Sequence, residues 1–277
     1  MSKILHIIVN YKSDEQSTEL INQLRQLEGN SQVSWVLVNN SAIDSKDDSL
    51  KQKLTHVQNL TVVNCPDNPG YFGAAARACQ ELDPREYTYT ILSNSDLQIM
   101  NSDFYQVLLN YGIESETAAI APSIKSNLTK KESNPLYLQR PSSSKLQRLE
   151  WVYSNIFTAW IYHLLSWMKN RFAGSQSLLE HSESMYALNG SFIILHKNFF
   201  LKGGNFSYPV KLYGEEIFLA EQLRRLNLKT VFMPDLKVVH DEKGTEKSWI
   251  SRYTISYRTF LYKKEAAKFL SALFKSN

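Results

Sequence analysis

Short apolar blocks alternate with amphipathic stretches through residues 4–121. Residues 4–9, Ile-Leu-His-Ile-Ile-Val, form a β-branched run that predicts a buried strand. Residues 14–27 carry Leu20, Ile21, Leu24 and Leu27 at helical spacing. A second strand is expected over 33–38, ending at Asn39-Asn40-Ser41, and a third over 60–63. A turn at 66–70 opens a small-residue helix over 73–82. A strand over 87–92 ends at Ser93-Asn94-Ser95-Asp96, followed by a helix over 103–111 and a short strand over 118–121. Strands alternating with helices imply right-handed crossovers and a mainly parallel sheet with helices on both faces. In such α/β sheets ligands bind outside the carboxyl ends of the strands. Asn10-Tyr11, Asn39-Asn40-Ser41, Asp67-Asn68-Pro69-Gly70 and Asn94-Ser95-Asp96 all fall at those ends. Four polar clusters on one edge are the layout expected of a nucleotide-type site.

The alternation breaks over 125–185. A polar loop leads into residues 151–168, which contain no acidic or basic residue other than His163. That length reaches the lower range of a membrane span. Its pattern argues against crossing. Asn155, Thr158, Tyr162, Ser166 and Lys169 form a polar stripe, while Val152, Ile156, Trp160, Leu164 and Trp167 face the other way. A Trp-rich amphipathic helix is expected to lie in an interface. Beyond it the pattern predicts a strand over 186–196, a turn at Gly203-Gly204, a helix over 216–226 and a strand over 230–239 that ends at His240.

Charge changes the picture at the end of the chain. The net charge is +4, yet residues 247–277 alone carry +6 and the remainder −2. A basic tail on a near-neutral body suggests attraction to an anionic surface, either nucleic acid or membrane. Ile255, Tyr262, Ala266, Phe269, Leu270 and Leu273 fit one helical face there, with Arg258, Lys263, Lys264, Lys268 and Lys275 around it. That interleaving suits a membrane better than nucleic acid. The alternative is a helix docked on the protein's own core. Cys65 and Cys79 read as reduced thiols of a cytosolic protein. The start shows no signal-peptide pattern.

Four clusters can carry chemistry. Asp96 at a strand end can hold a divalent cation against a diphosphate, or merely cap a turn. Asp67 to Gly73 lets backbone approach a ligand and offers the amides of the following helix, or makes a plain turn. Glu215-Glu216 can supply a general base, or stabilise a helix start. His240 can join Asp96 as a metal ligand, or sit in the core.

In order and spacing these clusters resemble the inverting glycosyltransferases of family 2 with the GT-A fold. Ile8-Val9-Asn10-Tyr11 looks like that family's first strand, and Val38-Asn39-Asn40-Ser41 like its V-D-N-x-S segment around the nucleobase and ribose. Asn68-Pro69-Gly70-Tyr71-Phe72-Gly73 resembles its N-x-G-x-x-G stretch. Ser93-Asn94-Ser95-Asp96 takes the place of its D-x-D motif. Leu188-Asn189-Gly190-Ser191-Phe192 resembles the acceptor-side segment, with Lys197 where an Arg is usual. Tyr213-Gly214-Glu215-Glu216 resembles the E-D run, and His240 the family's metal-binding histidine. The departures are Asn94 for the first acid of D-x-D, Asn39 for the nucleobase-side Asp, and Glu216 for the Asp of the E-D pair.

The resemblance implies a GT-A domain over 1–245, with a nucleotide-sugar half at 1–122, a helical insertion at 123–185 and an acceptor half at 186–245. A basic amphipathic helix follows at 246–277. It implies Glu216, or alternatively Glu215, as the base. Val9, Asn10, Tyr11, Asn39, Ser41, Asn68, Gly70, Gly73, Asn94, Ser95 and Asp96 would bind the donor, with Asn189 and Gly190 toward the acceptor. Asp96 and His240 would hold Mg²⁺ or Mn²⁺. The expected donor is a nucleotide-sugar such as dTDP-rhamnose or a UDP-hexose. The expected acceptor is a glycan or undecaprenyl-linked chain of capsule, O-antigen or similar polysaccharide, met at the cytoplasmic face of the membrane. Rivals are a nucleotidyltransferase, disfavoured because residues 9–15 lack glycine, and a non-catalytic nucleotide-sugar-binding or scaffold protein.

Overall fold

Both faces of the first strand are apolar, and that decides the layering. The computed structural model describes residues 3–44, 47–172, 184–241 and 255–275. In chain order its elements are β1 (Ile4–Asn10), α1 (Asp14–Leu24), β2 (Val33–Asn39), α2 (Ser49–Lys53), β3 (Leu60–Asn64), α3 (Tyr71–Glu81), β4 (Tyr89–Asn94), β5 (Leu97–Ile99) and α4 (Phe104–Asn110). Then come β6 (Thr117–Ser126), α5 (Ser143–Val152), α6 (Ile156–Phe172), β7 (Ser184–Met185), β8 (Phe192–His196), α7 (Lys197–Leu201), α8 (Glu215–Arg225), β9 (Lys229–His240) and α9 (Tyr257–Lys275). In β1, Ile4 and Ile8 join one core cluster while Leu5, Ile7 and Val9 join the other. Successive side chains of a strand point to opposite faces, so each face needs its own cover. Helices α1, α2 and α4 cover one with Leu20, Ile21, Leu24, Leu50 and Phe104. Helices α3, α7 and α8 cover the other with Phe72, Ala74, Ala78, Phe199 and Leu219.

The sheet runs β3-β2-β1-β4-β8-β6-β9-β5, with β7 on β9. Strands β1, β2, β3 and β4 are parallel, as the alternation predicts. Strand β8 enters antiparallel to β4 and β6. The register ends the first strands together: Asn10 lies opposite Asn39, Asn39 opposite Asn64, and Asn94 opposite Val9. Strand β9 pairs with β6 up to Met233 and again from Lys237, skipping Pro234, Asp235 and Leu236. Proline lacks the ladder N–H, so a bulge is where a strand tolerates it. Past the bulge β9 also takes up β5, with His240 opposite Leu97. That pairing carries His240 to the edge where Asp96 stands.

Two expectations change in detail. The stretch read as one helix over 151–168 is broken at 153–155. Asn155 Oδ1 accepts from the Phe157 N–H at 2.7 Å, starting α6 afresh. On α6 it is Ala159 and Tyr162 that turn inward, while Ile156, Phe157, Trp160, Ile161 and Leu165 are exposed. The side chains of Trp167 and Lys169 lie outside the described residues. The strand read over 186–196 forms only from Phe192.

The basic helix folds back. In α9, Phe260, Ala267, Leu270 and Phe274 are buried against Val152 and Tyr153 at the end of α5, Leu146 of α5, and Ile217 of α8, and Ala266 joins the main core. The apolar face that the sequence offers to a membrane is therefore covered by the protein itself. Lys247 and Arg252 of the basic segment lie outside the described residues. Among the described residues, no helix is long and apolar enough to cross a membrane.

His6 illustrates how a polar residue survives in β1. It has no solvent exposure, and its Nδ1 lies 2.8 Å from the Tyr105 hydroxyl and its Nε2 3.0 Å from Ser93 Oγ. Burial disfavours the imidazolium and pushes the ring down to about 3. The folded state therefore binds fewer protons here than the unfolded chain below the ordinary histidine range near 6.5. Stability from this site is full above that range and declines as pH falls toward the folded value. Relative to His6→Leu, the wild type is expected to lose about 1 kcal/mol of unfolding free energy between pH 7 and 5.5. Urea titrations of both proteins check this, and parallel pH profiles would contradict it.

Candidate active site

The site occupies a cleft of about 400 Å³ where the carboxyl ends of β1, β2 and β4 face the start of α9. Asparagines build its floor. Asn10 and Asn39 are buried, and their amides bond to each other at 3.1 Å. Asn10 Oδ1 accepts from Ser13 N and Oγ and from Ser17 Oγ. Asn39 Oδ1 also accepts from Ser41 N and Oγ. These two residues, with Ser41, hold the strand ends in place and do not line the cleft. Asn40 lines it instead. Its amide donates to the Gly70 carbonyl at 3.1 Å, while its Oδ1 is buried with no partner among the described residues.

The turn before α3 forms one wall. Gly70 has φ +87, and a Cβ there would lie 1.9 Å from the Lys211 carbonyl oxygen, so only glycine fits. Asn68, at φ 45, accepts from the Gly70 N–H at 3.3 Å. Gly73 packs on Pro69 and does not reach the cleft. Val9, Tyr11, Asn94, Ser95 and Asp96 do line it. Ser95 Oγ shares a hydrogen bond with Ser13 Oγ at 2.7 Å, and the Asn94 N–H donates to the Ser191 carbonyl.

The structure brings Asp96 and His240 together. Asp96 Oδ1 and His240 Nε2 are 3.1 Å apart, each side chain 17% exposed. Among the described residues no group of three or more His, Cys, Asp or Glu gathers around a common point. A carboxylate lining the cleft with an imidazole beside it nonetheless fits a hard divalent cation that takes its other ligands from phosphate and water. The neutral Asn94 leaves Asp96 as the acid of its segment.

The second pair of carboxylates sits at the start of α8. Tyr213 and Gly214 precede it, both left-handed at φ 74 and 89. For a tyrosine that geometry costs about 1 kcal/mol, and the surroundings hold it. The Tyr208 hydroxyl donates to the Tyr213 carbonyl at 2.7 Å, and Leu270 of α9 presses on Gly214. Glu215 is 5% exposed. Burial first, and the Glu216 charge second, push its carboxyl up to about 8. Burial also raises Glu216, opposed by backbone N–H groups including that of Gly190. A Cβ on Gly190 would lie 2.6 Å from Glu216 Oε1, so glycine makes room for this carboxylate. Asn189 supports that turn by accepting from Ser191 N and Oγ.

Tyr71 links the two halves and was not picked out as a site residue from sequence. Its hydroxyl is buried without a partner among the described residues and lines the cleft. Burial, then the charges of Glu215, Glu216 and Asp96, raise it well above the ordinary phenol range. All three carboxylates therefore act on one hydroxyl. Lys211, Arg258 and Tyr262 also line the cleft and gave no site signal in the sequence. Arg258 and Tyr262 read there as parts of a membrane-facing helix.

No protein-family model matches the chain, and no curated protein matches it significantly. Solved structures do. The chain is similar to S. aureus TarS residues 1–349 in complex with UDP-GlcNAc, with TM-score 0.60 and 16% identity, covering 99% of this chain and 67% of that one. A second S. aureus TarS structure gives TM-score 0.56 and 14% identity over 86% of this chain and 36% of that one. GalNAc-T7 with UDP, GalNAc and Mn²⁺ gives TM-score 0.58 and 13% identity over 87% and 44%. The chain thus spans about a third to two thirds of these proteins. At such identities the likeness establishes the fold, which is GT-A.

Proposed function

We propose that the protein is an inverting glycosyltransferase that moves a sugar from a nucleotide-sugar to a glycan acceptor. The observation that carries this is the cleft itself. Asp96, which pairs with His240, and the raised carboxylates Glu215 and Glu216 all bear on the same buried Tyr71 hydroxyl. The GT-A fold shared with structures holding UDP-GlcNAc or UDP supports the same reading.

Glu216 is the base in this account. It is partly exposed whereas Glu215 is buried, and it lies beside Gly190 on the acceptor side. An acceptor hydroxyl gives its proton to the Glu216 carboxylate, and its oxygen bonds to the anomeric carbon. The bond from that carbon to the donor's phosphate oxygen breaks, and the nucleoside diphosphate departs. Asp96 and His240 would hold Mg²⁺ or Mn²⁺, whose chemistry there is to neutralise charge on the diphosphate. Raising the carboxylate by burial makes it a stronger base, and it must be ionised to act. The rate is therefore expected to climb with pH through a range above that of an ordinary carboxylate.

Glu216→Gln is nearly isosteric and should retain donor binding. It should lower transfer about a hundredfold or more. Nucleoside diphosphate release from a panel of nucleotide-sugars, with Mn²⁺ and a polysaccharide acceptor, reads this directly. Full activity in Glu216→Gln with loss in Glu215→Gln would move the base by one residue. A wild type that binds donors and releases nothing would be a binding protein.

The acceptor we propose is carried on a lipid and met at the cytoplasmic face of the membrane. The exposed Phe157, Trp160, Ile161 and Leu165 of α6 support this. Wild-type protein should sediment with anionic phospholipid vesicles, and Phe157→Ser/Trp160→Ser should weaken that several-fold. Equal sedimentation of both, or none of either, sinks the membrane part alone.

A further inference from the structure

The basic helix begins at the donor cleft. Arg258 and Tyr262 of α9 line it together with Tyr11, Asn40 and Asp96. Arg258 Nε donates to the Tyr262 hydroxyl at 3.1 Å and the guanidinium also reaches the Tyr11 hydroxyl. Among the described residues it has no carboxylate partner, and it is exposed. A guanidinium tethered through two phenols keeps donors free on its open side, and its planar fork suits phosphate oxygens. Lys211 is a second basic residue lining the cleft. Asn40 also lines the cleft, and its buried Oδ1 has no partner among the described residues.

The charge on the cation side explains why such a residue belongs here. Asn94 is neutral where a second acid would strengthen metal binding, so Asp96 and His240 form a sparse ligand set. The departing diphosphate gains a negative charge as its bond to the sugar breaks. A weakly held cation leaves part of that charge to be met by the protein. Charge-assisted bonds from arginine are the direct way to meet it. We propose that Arg258 binds the diphosphate of the donor, so that α9 is part of the nucleotide site and closes its open side. The inference rests on the glycosyltransferase reading.

The test is calorimetric binding of UDP, dTDP and GDP, and of the matching nucleosides, to the full chain with Mn²⁺. Arg258 is exposed, so Arg258→Ala is expected to fold. It should weaken whichever nucleoside diphosphate binds by about tenfold or more while leaving the nucleoside unchanged. Arg258→Lys should recover part of the loss, and Lys268→Ala, exposed on the same helix outside the cleft, should show none. The loss should shrink as salt rises. If Arg258→Ala binds the diphosphate within twofold of wild type, the inference falls and the donor site stands. If diphosphate and nucleoside weaken equally, Arg258 does not read phosphate. If the wild type binds no nucleoside diphosphate, both the donor site and this inference fall.

Discussion

Asparagine closes the strand ends, and the site depends on it. Parallel strands buried on both faces must stop somewhere, and each leaves polar backbone and side chains that need partners. The Asn10–Asn39 amide pair, with Ser13, Ser17 and Ser41 bonded to its oxygens, satisfies that edge from within. With the floor self-contained, the neighbouring positions are free to face outward. Asn40, Tyr11 and Asp96 line the cleft because Asn39, Asn10 and the β4 backbone hold the edge rigid beneath them.

The second constraint comes from the far end of the chain. The strained Tyr213–Gly214 turn aims Glu215 and Glu216, and Leu270 of α9 braces it. A buried ion cluster ties the same region together. Glu221 of α8 takes hydrogen bonds from Arg140 at 2.7 and 3.0 Å, from Tyr186 at 2.7 Å and from Arg224. Burial alone would raise this carboxyl, but those bonds win and hold it down at about 2. Arg140 in turn lies 4.1 Å over the ring of Phe274 in α9. A helix that looks appended is thus keyed to the Tyr213–Gly214 turn and to the cleft at once.

Residues differ in how openly they announce such roles. The strands of the first half were legible because β-branched runs bounded by Asn and Ser have few other solutions, and Asp96 and His240 because both sit at strand ends. The meeting of those two was not deducible from spacing alone, since it needs the Pro234 bulge to steer β9 onto β5. Asn10, Asn39 and Ser41, expected at the donor, bond among themselves along the strand ends, while Asn40 lines the cleft. Which of two adjacent asparagines points outward is a matter of strand register, which the sequence does not print. The C-terminal helix has one apolar stripe, and a stripe reads the same whether a membrane or a protein covers it. Only the contacts of Phe260, Leu270 and Phe274 decide it. Tyr71 was hidden because a tyrosine after Pro-Gly is ordinary, and what marks it is burial without a partner.

The central claim is that a nucleotide-sugar lies between the asparagine edge and α9 with its sugar toward Glu216. A crystal structure of the protein with Mn²⁺ and the nucleoside diphosphate that binds best tests it most directly. The account predicts the base and ribose beside Tyr11 and Asn40, and the diphosphate between Asp96 and Arg258. A nucleotide bound elsewhere, or in this cleft with its diphosphate turned away from Asp96, would contradict it.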